Sequence, residues 1–248
     1  MSVIRPLIAG NWKMNGLRLA AVSLAQDLVQ RSAGKDLRCD VVICPPFTVL
    51  QAVAAVLDGS GIGLGGQDCH ETKSGAFTGS ISAGMLKDVG CQHVIVGHSE
   101  RRHGLGETDA MVLAKTSAAL AAGLVPVVCV GETLEEREAG AASAVVGRQI
   151  AASVPSVAGS MIVAYEPVWA IGTGKTASTD DIAAMHATIR SCLADLRPDG
   201  ETIPIQYGGS AKPDNAAEIL GVENVGGLLV GGASLDAEAF WEIVRISG

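Results

Sequence analysis

Glu166 follows a short apolar run, Met161-Ile162-Val163-Ala164, and precedes Pro167, which forces extended backbone at the residue before it. A carboxylate delivered at the C-terminal end of a buried strand sits on rigid scaffold and can serve as a general base. The next stretch, Val168 to Lys175, mixes apolar residues with two glycines, a composition suited to folding down over a bound molecule. Its end, Gly172-Thr173-Gly174-Lys175-Thr176, has the tail of a phosphate-cradling P-loop, but that motif needs glycine where this chain has Trp169, so it is excluded.

Other chemistry-bearing residues also follow apolar runs. Asn11 and Lys13 close the first, His98 the fourth, Gly208-Gly209-Ser210 the seventh and Gly231-Gly232-Ala233-Ser234 the eighth. One cation, one imidazole and one carboxylate make an acid-base set, and the two glycine-rich ends expose backbone N–H groups of the kind that bind phosphate. A phosphorylated small molecule is the ligand this pattern favours. Three rival chemistries are weaker. A nucleophilic serine at Gly97-His98-Ser99 would need a second glycine where Arg101 stands. A metal centre would have to draw on Glu132, Glu166 and His98, which come from different strands with no ligand motif. A Schiff-base lysine could only be Lys13.

These residues need elements to bring them together. Eight apolar strand-like runs recur: Leu7 to Ala9, Val41 to Cys44, Ile62 to Leu64, Val94 to Val96, Val125 to Val130, Ile162 to Ala164, Ile203 to Tyr207 and Leu228 to Val230. Between them lie stretches with apolar residues three and four apart, including Leu17 to Val29, Ala110 to Leu120, Ala141 to Ala152, Ile182 to Leu196 and Ala237 to Ile246. Asp180 and Asp214 are expected to precede helices, and Gly90 and Gly123 to close them. Alternating strands and helices with fully apolar strands imply an α/β fold with a helix-covered parallel sheet. Eight units at this spacing suit a closed (β/α)8 barrel, in which all strand ends share one mouth. An open doubly wound sheet would want a nucleotide fingerprint. The nominal G-x-G-x-x-G at Gly61 to Gly66 lies within the third strand and reads instead as a place where backbone is crowded.

Composition sets further bounds. The 248 residues are 48% hydrophobic but only 3% aromatic, so the core must be built from small and aliphatic side chains. A net charge of −8 with pI near 5.1 argues against nucleic acid and means that any anionic ligand is met by local charge. Six cysteines without C-x-x-C or zinc spacing read as reduced thiols. Pro6 to Gly10 is too short for a signal peptide and no run is long enough to span a membrane, so a cytoplasmic protein is expected.

Gly10-Asn11-Trp12-Lys13-Met14-Asn15, Val96 to Arg102, Ala164 to Lys175, Tyr207 to Ser210 and Leu229 to Leu235 together resemble the triosephosphate isomerase family, over essentially the whole chain. The resemblance implies one TIM-barrel domain over residues 1–248. It further implies interconversion of dihydroxyacetone phosphate and glyceraldehyde 3-phosphate through an enediolate, with neither cofactor nor metal. Glu166 would be the base, His98 a neutral electrophile at a helix N-terminus begun by Ser99-Glu100, and Lys13 a fixed charge oriented by Asn11; the first two roles are ones long established for that family. Phosphate contacts map to Gly172, Ser210, Gly231 and Gly232, with Gly172 in a covering loop of the kind known from the same enzyme. A homodimer is implied in which Phe77-Thr78-Gly79 reaches the partner's Asn11 and the partner's Lys13. Three residues depart from the family's common pattern. Ser80 stands where many members have a glutamate that pairs with the arginine matching Arg101, Asp68 replaces a frequent asparagine and Gly226 a frequent aspartate. The first two put the electrostatic support of the dimer contact in question. Two other functions remain open on the residues alone: a sugar-phosphate epimerase or aldolase on the same scaffold, and a non-catalytic binding protein.

Overall fold

The computed structural model describes residues 5–171 and 176–247. Its first half runs β1 (Leu7–Asn11), α1 (Arg18–Ser32), β2 (Asp40–Cys44), α2 (Phe47–Leu57), β3 (Gly63–Gly66), α3 (Ala83–Asp88), β4 (His93–Val96), α4 (Ser99–Gly104) and α5 (Asp109–Ala121). The second half continues with β5 (Val125–Val130), α6 (Leu134–Glu138), α7 (Ala142–Ser153), β6 (Ile162–Tyr165), α8 (Thr179–Leu196), β7 (Ile205–Tyr207), α9 (Pro213–Leu220), β8 (Gly227–Val230) and α10 (Ala237–Ile246). The strands pair in chain order, all in parallel, and β1 pairs with β8 to close the barrel.

Strand residues alternate between two apolar environments, which is why the runs are apolar at nearly every position. Leu7, Ala9, Val42, Cys44, Ile95, Val127, Cys129, Ile162, Ala164 and Leu229 pack together inside the barrel. The intervening residues, among them Ile8, Ile43, Val96, Val128, Val163, Tyr165, Tyr207 and Val230, join the outer layer with the helices. Each buried Val or Ile contributes about 1.5–3 kcal/mol, and the buried exception in β7, Gln206, is accommodated by donating to Leu7 O at 3.0 Å and Leu228 O at 3.3 Å. The glycines of β3 report crowding, as the sequence suggested. A Cβ on Gly65 would lie 2.5 Å from Cys44 Sγ, and one on Gly66 would lie 2.7 Å from Leu86 Cδ1.

Some boundaries differ from expectation. β3 extends through Gly65 and Gly66, which carry no side-chain signal, and β7 starts at Ile205, just after Pro204, which has no N–H to donate to a ladder. Asp180 and Asp214 lie inside the first turns of α8 and α9 rather than before them. Ser178 caps α8 by accepting from the Asp181 N–H, and Pro213 takes the first position of α9, so the two aspartates favour the helix dipole from within. Gly90 and Gly123 do follow helices, in the left-handed region at φ +102° and +72°. α2 buries Val49, Leu50, Val53 and Leu57, apolar residues three and four apart that mark its inner face within a largely apolar stretch.

Candidate active site

The C-terminal ends of the strands open into one cavity of about 580 Å³ lined by Asn11, Lys13, His98, Glu166, Ser210, Gly231 and Gly232. Seven of the eight residues singled out for this mouth therefore converge. The eighth, Gly172, lies with residues 173–175 outside the described residues, as does therefore the second half of the expected cover, Val168 to Lys175.

Glu166 is placed by backbone. Its N–H donates to Val130 O at 2.8 Å, and Gly208 N–H donates to Tyr165 O at 2.7 Å, so the carboxylate leaves a segment bonded on both sides. The residue is 1% exposed. Oε2 accepts from the Ser99 N–H at 2.8 Å, the first residue of α4. Oε1 lies 2.8 Å from His98 Nε2, but the contact is too bent to be a hydrogen bond and no aligned donor reaches that oxygen. Burial works against ionisation of Glu166, yet His98, the Ser99 N–H and Lys13 outweigh it and hold the carboxyl below its ordinary pKa. It is a carboxylate at neutral pH, with one buried oxygen short of a partner.

His98 is the N-cap of α4, and its Nδ1 accepts the Glu100 N–H at 3.2 Å. A ring nitrogen that accepts has no proton of its own, so this contact favours the neutral ring protonated at Nε2. Burial alone would lower the imidazole pKa; the facing Glu166 charge and then Glu100 reverse the sign and raise it. The two influences compete over full protonation but agree on a proton at Nε2. That hydrogen is the one available to a ligand oxygen in the cavity.

Lys13 adopts φ +52°, a region L-residues seldom occupy, and it is tied there by its neighbours. Its N–H donates to Asn11 Oδ1 at 3.0 Å, and its carbonyl accepts from Gln67 Nε2 at 2.8 Å. Gln67 also bonds Cys44 O at 2.8 Å, bridging the ends of β1 and β2. Lys13 Nζ is 2.6 Å from Glu100 Oε1, which makes it a held cation rather than a free amine nucleophile. Gln67 is a holding residue that the sequence did not mark, although it is polar and lies just past a strand end, the signal that identified the others; Glu100, expected there only as the start of a helix, proves to be the partner of Lys13.

Glu132, fully buried, does not turn toward a metal. Its Oε1 accepts from Tyr165 OH at 3.1 Å, Trp169 Nε1 at 2.9 Å and Arg137 at 3.2 Å, while Arg137 also lies over the Trp169 ring at 4.7 Å. Among the described residues no group of three or more His, Cys, Asp or Glu is disposed to hold a metal ion. The departures at Ser80 and Asp68 prove to be linked. Asp68 pairs with Arg101 at 2.8 Å and with Lys115 at 2.8 Å, so a carboxylate still meets Arg101 although residue 80 supplies none. Glu107 completes this cluster with both cations.

Comparison with known proteins adds to this geometry. A family model described as triosephosphate isomerase matches residues 6–247. The chain is 56% identical to the triosephosphate isomerase of Xanthobacter flavus, covering 98% of each protein. It is also 56% identical to that of Afipia carboxidovorans, over 98% of this chain and 97% of that one. Among solved structures, the triosephosphate isomerase of Bartonella henselae superposes with a TM-score of 0.90 at 44% identity, covering 98% of this chain and 99% of the other.

Proposed function

The chain belongs to the triosephosphate isomerase family, and from that premise we propose which of its groups perform the reaction. The protein interconverts dihydroxyacetone phosphate and D-glyceraldehyde 3-phosphate by proton transfer through an enediolate. Glu166 removes the proton from the carbon beside the carbonyl. The electron pair released forms the carbon–carbon double bond and the carbonyl oxygen takes the charge. His98 Nε2 gives its proton to that oxygen and takes one back from the neighbouring hydroxyl, which moves the charge to the second oxygen. Glu166 then returns the carbon proton to the neighbouring carbon, and the aldose-ketose exchange is complete.

His98 donates from Nε2 to the oxygens as their charge grows, and a neutral imidazole suits this because its acidity approaches that of an enediol. Lys13 supplies fixed positive charge, with Asn11 orienting its backbone. Ser210, Gly231 and Gly232 take the phosphate at the far side of the cavity, joined by Gly172. The observation that supports this assignment most is the buried Glu166 carboxylate, whose Oε1 has no aligned donor and stands 2.8 Å from His98 Nε2. An orphaned buried oxygen is costly, and proton abstraction gives it a use.

Replacing Glu166 by Ala should lower turnover by at least about 10²–10⁴-fold, the range for a positioned general base. A coupled assay on glyceraldehyde 3-phosphate reads this, and near-native turnover would overturn the assignment.

The same reading extends to assembly and location. Residues 1–248 act as one domain, a view supported by a barrel whose strands run from Leu7 to Val230. Two copies associate through the loop containing Phe77, Thr78 and Gly79. Support comes from exposed apolar side chains on neighbouring loops, including Met14, Leu17, Phe47, Phe77 and Leu105. Phe47, Leu105 and Met111 line a depression of about 380 Å³ beside Arg101, and apolar surface of this kind calls for a partner. Six free thiols fit a cytoplasmic setting.

A further inference from the structure

We propose that Lys212 is a second cation of the substrate site, which draws in and holds the phosphate dianion alongside the backbone groups of Ser210, Gly231 and Gly232. The inference rests on the phosphate position assigned above and concerns a residue that position does not require. Its starting point is charge. The protein carries −8 overall, so a dianion approaches against the mean field. The charges at or beside the mouth are Lys13, Glu100, Glu166, Lys212 and Asp214. Lys13 is already opposed by Glu100 at 2.6 Å, and Glu166 faces His98. Lys212 lines the same cavity two residues beyond Ser210, and among the described residues its ammonium has no carboxylate or hydrogen-bond acceptor.

The backbone fixes where that ammonium starts from. Lys212 N–H donates to Asn215 Oδ1 at 2.8 Å, and Asn215 Nδ2 donates to Ser210 O at 3.0 Å. Asn215 thus ties Ser210 and Lys212 to the first turn of α9, so phosphate-binding backbone and cation are presented by one anchored segment. A side chain this long and exposed costs little to redirect onto an anion at the cavity edge, because it breaks no existing contact to do so. Asp214, on the same rim, acts with the opposite sign.

The test compares native protein with Lys212→Met, Lys212→Arg and Asp214→Asn. Each is assayed on glyceraldehyde 3-phosphate and on unphosphorylated glyceraldehyde, with inorganic phosphate as competitor and as a calorimetric ligand. A unit charge about 8 Å from a dianion in water is worth about five-fold in affinity. At about 0.01 M ionic strength Lys212→Met should therefore lose about five-fold in kcat/KM for the phosphorylated substrate, mostly through KM, and weaken phosphate binding similarly. Near 0.15 M, where the screening length falls to about 8 Å, the loss should shrink toward about two-fold. Lys212→Arg should restore most of the effect, Asp214→Asn should shift kcat/KM the other way, and glyceraldehyde turnover should not follow either change. Equal losses on both substrates, or no salt-dependent change in kcat/KM or phosphate affinity, would overturn the proposal while leaving the isomerase site intact. Failure of the native protein to turn over triose phosphate would instead count against the site assignment, and the calorimetric comparison would still decide whether Lys212 binds phosphate.

Discussion

Removing the Gln67 side chain by Gln67→Ala should disable the site without touching any group that meets substrate. Gln67 Nε2 bonds both Lys13 O and Cys44 O at 2.8 Å, and Lys13 is held at φ +52°. Two net hydrogen bonds of about 0.5–1.5 kcal/mol each give a loss of about 2 kcal/mol in stability, or about 4–8 °C in Tm for a chain of this size. Cys44 O keeps a second donor, Trp12 N–H at 3.2 Å, so the larger effect falls on Lys13. Holding a residue in the left-handed region costs about 1–3 kcal/mol, and with Gln67 gone the Lys13 backbone keeps, among the described residues, its bond to Asn11 Oδ1, while Glu100 holds the far end of the side chain. A relaxed backbone turns the Lys13 side chain away from the cavity, and a displacement of about 1 Å or more at a catalytic group is worth about 10²-fold, or about 2.7 kcal/mol of transition-state stabilisation. The coupled assay and thermal unfolding should be run on Gln67→Ala and on Gln67→Glu, which keeps the shape but not the donor. Both variants should fall about 10²-fold in kcat/KM. If Gln67→Ala loses its few degrees of Tm yet keeps kcat/KM within about two-fold of native, Lys13 is held by something else and the reasoning fails.

Two stability predictions follow from groups outside the mouth. His186 is fully buried, its Nδ1 is 3.2 Å from Asn224 O and its Nε2 has no partner; burial depresses its pKa to about 4. Because the unfolded chain binds this proton near pH 6.5 and the folded one does not, the contribution of His186 is fully present above pH 6.5 and is lost as pH falls toward 4, by about 3 kcal/mol in all. Denaturant unfolding between those limits should show a slope that His186→Leu flattens, and an unchanged slope would refute the burial argument. Gly65→Ala should cost about 1–3 kcal/mol because its Cβ would meet Cys44 Sγ at 2.5 Å, and adding Cys44→Ala should recover part of that loss in Tm. No recovery would place the strain elsewhere.

The sequence by itself settled the architecture and most of the chemistry. Strands buried on both faces must be apolar at nearly every position, which makes runs such as Val125 to Val130 legible without knowledge of their partners. A polar residue at the end of such a run stands out for the same reason, and Glu166, His98 and Lys13 were identifiable as a set once the barrel closed their strands onto one mouth. β3 was the least legible strand, since Gly65 and Gly66 owe their identity to Cys44 and Leu86, residues 21 and 20 positions away. What only the tertiary structure decided was pairing. Asn215 is an unremarkable helix residue until it joins Ser210 to Lys212, and Asp68 looks like a lost asparagine until Arg101 and Lys115 reach it. The proton on His98 follows from an N–H two residues away, and the state of Glu166 Oε1 from its standing 2.8 Å from a ring on another strand end. Residue type is written along the chain; hydrogen-bond direction and charge partnership depend on distances of a few ångströms that only the closed barrel fixes.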